Sequence, residues 1–281
     1  MRIAILGIGL IGGSFAAALR ARGVSASIAG CAPGTDAARA LELGLVDEAF
    51  TDPLAAVRGA DWVVLAAPVP ALPGLMATIA PALGPDTRIT DCGSTKRSVV
   101  DAARAALGPA FARYVAGHPI AGSERSGPDA ANPDLFRGRR WVLCPVDDAQ
   151  RAHCEPLRAL LSPTGAVISE MTPLQHDRLF AEVSHWPHAV AFALGAAIAR
   201  GGLADSAIEF SGGGLRDTSR IAASSPELWA GILMDNADAV LESAERYRAE
   251  LDRMIDAIAR RDRSALVESL EVASRWRRRL G

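Results

Sequence analysis

Over the first 170 residues short apolar runs alternate with helical stretches, and beyond them only helical periodicity remains. Ile3 to Leu6, Ser27 to Gly30, Asp61 to Pro68, Thr87 to Asp91, Arg113 to Gly117, Trp141 to Pro145 and Ala166 to Glu170 read as strands. Their alternation with helical segments predicts a parallel sheet covered by helices on both faces. At Thr172-Pro173 a capping residue and a proline in the first helical position open a helix over 173–200, with Pro187 as its kink. After the break at Ser211-Gly-Gly-Gly214, a long helix starts near Ser225-Pro226. It carries Trp229, Ile232, Leu233, Val240, Leu241, Ala244, Tyr247, Leu251, Met254, Ile255 and Ile258 at spacings of three and four. That stripe is longer than a small helical domain needs for its own core, so it predicts a dimer interface. Two domains follow, 1–170 and 171–281. The fold class is α/β: an N-terminal doubly wound parallel sheet, then an all-α dimerisation domain.

The first strand runs into Gly7-x-Gly9-x-x-Gly12 and then into the helical pattern of Phe15 to Leu19. Gly7 permits the tight turn, Gly9 lets backbone approach a pyrophosphate, and Gly12 lets helix and strand pack closely. The helix then aims its N–H groups and positive dipole end at the anion, which makes this a Rossmann-type dinucleotide site. Leu10 and Ile11 belong to the same loop. The second strand of such a unit usually ends on an acid that holds the ribose 2′-hydroxyl. Cys31 stands there, followed by Ala32-Pro33-Gly34, with no adjacent arginine, so NAD and NADP both remain open. Pro68, Asp91 and the stretch to Lys96, and His118 all fall at strand ends on the same sheet edge, where ligands of doubly wound sheets bind.

Composition narrows the partners. At 281 residues, 49 % apolar and 22 % charged, with net charge −2, the chain lacks the basic excess of a nucleic-acid binder. Arg275-Trp-Arg-Arg-Arg279 fits a helix C-terminus opposing its dipole. The run from Ala189 to Ala199 is too short to span a bilayer. Arg2 and the apolar run to Leu19 have the outline of a signal peptide, but four glycines interrupt it. Cys31, Cys92, Cys144 and Cys154 show no metal or disulfide spacing, which fits a reducing cytoplasm.

Two residues stand out for chemistry. His118 follows a strand and is held by Pro119, where an imidazole suits proton abstraction from a hydroxyl as hydride leaves the same carbon. Arg220 lies one helical turn from Asp217, either as a carboxylate clamp or as one half of a surface ion pair. His185 and His188 share a helical face, but no third ligand accompanies them and no metal is expected.

The segments GIGLIGGS, DCGSTK, GHPIAGSERSG, SHWPHAVAFAL and GGGLRDTSRIAASSPELW occur in this order. With them the chain resembles the prephenate dehydrogenases, the cyclohexadienyl dehydrogenase family of tyrosine biosynthesis, over essentially its whole length. The resemblance implies a homodimer joined through the helical domain, with the active site in the cleft between domains. The implied reaction is oxidative decarboxylation of prephenate to 4-hydroxyphenylpyruvate and CO2, with hydride transfer to NAD or NADP. Arogenate, or both substrates, is the alternative. His118 would accept the ring hydroxyl proton and Ser94 would support that hydroxyl and the cofactor. Arg220 would bind a carboxylate, with His188 a further polar contact. Gly213, Asp217 and Trp229 would shape the pocket, some of them across the dimer, and Ser123 and Glu124 would control access. Trp186 stands where the family commonly has leucine. Nothing after Leu280 or before the first strand reads as a regulatory domain or fused mutase. Any tyrosine inhibition would therefore act at the active site.

Overall fold

Eight strands form one sheet in the order β3-β2-β1-β4-β5-β6-β7-β8. They are β1 (Arg2–Leu6), β2 (Ser27–Cys31), β3 (Glu48–Phe50), β4 (Trp62–Leu65), β5 (Arg88–Asp91), β6 (Tyr114–Pro119), β7 (Arg140–Cys144) and β8 (Val167–Glu170). The computed structural model describes residues 1–123 and 125–280. All neighbouring strands run parallel except β6 and β7, which pair antiparallel with His118 opposite Val142. Chain order reverses between β1 and β4, so the crevice for a ligand opens above these two strands.

The central strands are apolar throughout because both faces are covered. Ala4, Leu6, Val63 and Leu65 pack into one layer, while Ile3, Ile5, Trp62 and Val64 pack into the other. Strand β3 is absent from the periodicity reading. It is three half-buried residues at a sheet edge, too short to carry a pattern.

Beyond β8 the chain is helical. Thr172 caps Pro173–Phe180 through a reciprocal pair with Gln175. The bend expected at Pro187 takes the form of a π-helical turn, Ala181–His185, between Pro173–Phe180 and Trp186–Ala199. In a regular helix the Pro187 ring would meet the carbonyl of Val183, and the widened turn relieves this. The single long helix expected from Ser225 onward is two helices, Pro226–Asp235 and Ala237–Ala259, separated at Asn236. The buried Asn236 amide donates to the Asp177 carbonyl at 2.8 Å and to His185 Nδ1 at 3.0 Å, so the break lets the helices fasten onto Pro173–His185. Ala181, Ala239 and Val240 form a small core there, joined by Trp186 and Leu233. By contrast Leu241, Tyr247, Leu251, Ile255 and Ile258 stay exposed. No described helix is long and apolar enough to cross a membrane.

Candidate active site

One cavity of about 860 Å³ runs along the carboxyl edge of the sheet. Gly7, Gly9, Leu10, Ile11, Cys31, Pro68, Ser94, His118 and Ser123 all line it, and Leu228 and Ile232 of Pro226–Asp235 line it from the helical side. Ile232 therefore forms cavity wall rather than dimer surface, a correction to the stripe read from sequence.

The glycines divide by role. Gly7 has φ +101° and a Cβ on it would stand 2.6 Å from the Ala66 backbone, so the turn demands glycine. A Cβ on Gly12 would lie 1.9 Å from the Gly7 carbonyl oxygen; Gly12 is buried behind the loop and acts through packing. A Cβ on Gly9 would meet nothing within 4 Å. Protein packing does not require that glycine, and the space left open belongs to whatever enters the cavity. Helix Leu10–Ala21 starts at Gly9 with no side-chain cap and no acid in its first turn, so its positive end faces the cavity uncompensated. These features fit the pyrophosphate of a dinucleotide.

At the end of β2, burial and the nearby charge of Asp52 push the Cys31 thiol up to about 11, so it stays neutral. Asp36, the first residue of helix Asp36–Glu42, also lines the cavity. It lies five positions beyond the place where an acid is usual, which is why inspection of the strand end missed it.

Asp91 does not reach the cavity, contrary to its expected role in cofactor binding. Its fully buried carboxylate is taken up by the protein: Oδ1 accepts from Tyr114 Oη at 2.7 Å and Gly117 N at 3.1 Å, and Oδ2 from Gly93 N at 2.7 Å and from the Lys96 ammonium. Lys96, also fully buried, donates to the Gly117 carbonyl at 2.6 Å. A Cβ on Gly117 would sit 2.7 Å from the Asp91 carbonyl oxygen. The Asp91–Lys96 pair thus ties the Ser94 loop to the end of β6 and fixes where His118 begins. Removing either partner would leave a buried charge, at a cost of about 3–5 kcal/mol.

The His118 ring packs 5.0 Å from the rings of both Phe180 and His176. Burial, then the proximity of His176 and Lys96, holds its pKa well below the usual histidine value, so the ring is neutral at physiological pH. Its Nδ1 lies 2.8 Å from His176 Nε2, which leaves Nε2 of His118 without a hydrogen-bond partner among the described residues. His176 and Asp177 were not foreseen. They lie 58 residues and more from His118 in sequence, and no local motif connects them.

His188 stacks on Trp229 with ring centroids 3.4 Å apart, and its Nδ1 lies 2.8 Å from the Ser184 carbonyl oxygen. Burial lowers its pKa, and the charge of nearby Arg220 contributes. These three residues come together beside the cavity rather than in its lining. Arg220 is exposed, and no ion pair joins it to Asp217 among the described residues. The surface-pair alternative is therefore corrected. Gly213 and Asp217 sit on the exposed helix Gly213–Ser219, apart from the cavity lining. Glu124 lies outside the described residues.

Two family models cover this architecture. The prephenate dehydrogenase nucleotide-binding domain matches residues 15–170, and the prephenate dehydrogenase dimerization domain matches residues 172–272. The chain belongs to the prephenate dehydrogenase family. Prephenate dehydrogenase of Bacillus subtilis is 34 % identical over 98 % of this chain and 75 % of its own length. Cyclohexadienyl dehydrogenase of Zymomonas mobilis is 35 % identical over 98 % of this chain and 94 % of its own. The structure of Aquifex aeolicus prephenate dehydrogenase with hydroxyphenyl propionate and NAD+ superposes with a TM-score of 0.92. It is 31 % identical and covers 100 % of this chain and 98 % of that one. Synechocystis arogenate dehydrogenase superposes at 0.84, 30 % identical, over the whole of both chains. As a prephenate dehydrogenase family member the chain is an oxidoreductase with an NAD-binding domain, and tyrosine biosynthesis is its family setting.

Proposed function

We propose that this chain converts prephenate to 4-hydroxyphenylpyruvate and CO2. The observation that carries the reading is the imidazole of His118, its Nδ1 engaged by His176, in the wall of the glycine-loop cavity. NAD+ bound there supplies the hydride acceptor. His118 Nε2 takes the proton of the ring hydroxyl as hydride leaves the same carbon. The resulting dienone loses its carboxylate as CO2, the C–C bond electrons aromatise the ring, and the phenolic oxygen takes the proton back from His118. Ser94 lines the cavity at the end of the neighbouring strand β5 and supports the hydroxyl. Arg220 clamps a substrate carboxylate, with His188 on its Trp229 platform as a further contact. Asp217 and Gly213, together with Ser123 and Glu124, border the substrate region. Asp36, in the cavity lining, favours NAD+ over NADP+ by accepting from ribose hydroxyls and repelling a 2′-phosphate.

The working unit in this reading is a homodimer, supported by the dimerization-domain match and the exposed apolar face of Ala237–Ala259. Domains 1–170 and 171–281 meet at the cavity. The four free cysteines support a cytoplasmic setting, and the net charge of −2 supports no nucleic-acid partner.

Arogenate is the second reading, favoured by the likeness to the Synechocystis enzyme. Reduced-nicotinamide formation, measured with prephenate or arogenate against NAD+ or NADP+, tests both. Prephenate with NAD+ is expected to turn over fastest, and His118→Asn to lower that turnover by about 10²–10⁴-fold. A preference for arogenate would replace the substrate assignment. Silence in all four combinations from folded protein would overturn the function.

A further inference from the structure

A line of acceptors and donors runs from the cavity into the junction between sheet and helices. Asp177 Oδ1 accepts from Lys96 N at 2.8 Å and Oδ2 from Arg97 N at 2.9 Å, at the start of helix Arg97–Ala106. Burial raises the Asp177 carboxyl above its usual value, while the two backbone donors and the helix N-terminus oppose this and favour the ionised acceptor. His176 Nδ1 lies 2.8 Å from Asp177 Oδ1, so that nitrogen carries a proton. Full burial holds His176 near a pKa of about 2, so it is neutral and its second nitrogen, Nε2, is a lone pair. That lone pair lies 2.8 Å from His118 Nδ1, which must then be N–H. The only lone pair remaining to a neutral His118 is on Nε2, the ring atom with no hydrogen-bond partner among the described residues.

We propose that His176, itself held by Asp177, is a positioning residue that locks His118 into the Nδ1–H tautomer. The pair also shares the charge of the His118 imidazolium between removal of the hydroxyl proton and its return. The logic is that of an aspartate orienting a catalytic histidine, extended here by one imidazole. It explains why an uncharged ring and a buried carboxylate stand behind the base, where packing alone would be served by apolar side chains. The proposal rests on the reading of His118 as the base.

The test is ¹⁵N NMR of the full-length protein labelled at histidine, without substrate, together with steady-state kinetics. The chain has five histidines, so assignment by single substitution is tractable. The expected wild-type spectrum shows His118 protonated at Nδ1 with a free Nε2. His176→Phe keeps a ring against Phe180 but offers no acceptor, and His176→Ala removes the ring. In either variant His118 is expected to become a mixture of tautomers and kcat to fall by about 10–100-fold, with the substrate KM little changed. An Nε2–H tautomer in the wild type would overturn the proposal, as would a His176→Phe enzyme with wild-type tautomer and kcat. If neither variant folds, the wild-type tautomer still decides. A wild type inactive on all substrates would remove the function while leaving the tautomer measurement to judge this inference by itself.

Discussion

At the scale of single residues, the basic side chains are divided between reach and burial. Arg220 stands exposed with no ion-pair partner among the described residues, beside the stacked His188 and Trp229. A guanidinium left unspent in the fold is available to a ligand. Arg220→Gln is expected to weaken substrate binding by about 2 kcal/mol, the low end for an exposed charge, raising KM about 30-fold with a smaller change in kcat. An unchanged KM in steady-state kinetics would return Arg220 to ordinary surface. The residues that make local demands were legible in the sequence: Gly7 and Gly12 from turn and packing geometry, and His118 from its place near a strand end, although the strand extends two residues further than read and includes it. His176, Asp177 and Asp36 were not. Their roles depend on which residues the folded chain brings beside them, and the string DRLF around Asp177 reads as an ordinary helix. Asp91 misled for the related reason that a strand-end acid can face either the ligand or the protein.

At the scale of elements, apolar runs located seven of the eight strands because buried parallel strands cannot hide their composition. Helix periodicity was equally clear but placed no boundaries at Ala181–His185 or Asn236, since both interruptions are set by packing against other helices. The stripe along Pro226–Ala259 proved to serve two purposes. Ile232 and Val240 are buried within the protomer, whereas Leu251 and Ile255 are 41 % and 54 % exposed. A face of that kind on a 23-residue helix calls for a partner helix. The double substitution Leu251→Asp with Ile255→Asp is expected to convert the proposed homodimer into a monomer of 29.3 kDa by light scattering. A mass unaffected by these charges would place the interface elsewhere.

At the scale of the whole molecule, two buried histidines and the half-buried His118 couple folding to acidity. Burial lowers the pKa of His118 well below its usual value, that of His176 to about 2 and that of His185 to about 4. Below about pH 6.5 the unfolded chain takes up protons at these positions while the folded chain does not, so stability is full above that pH and falls as pH drops. Each histidine contributes about 1.4 kcal/mol per pH unit until its folded pKa is reached. Urea unfolding at about pH 7.5 and about pH 5.5 is therefore expected to differ by up to about 4 kcal/mol. Equal stabilities would mean that these rings are charged in the fold.

The basic residues of this chain number thirty, and all but one are arginine. The exception, Lys96, is the fully buried ammonium that joins the Ser94 loop to the end of β6. The folded protein therefore offers no ε-amine to solvent. Reagents that acylate lysines, cross-link neighbouring subunits or couple proteins to supports through amines find only the N-terminal α-amine of the exposed Met1 while the sheet edge is closed. A single acyl mass added at Lys96 would count the molecules whose active-site floor has come apart.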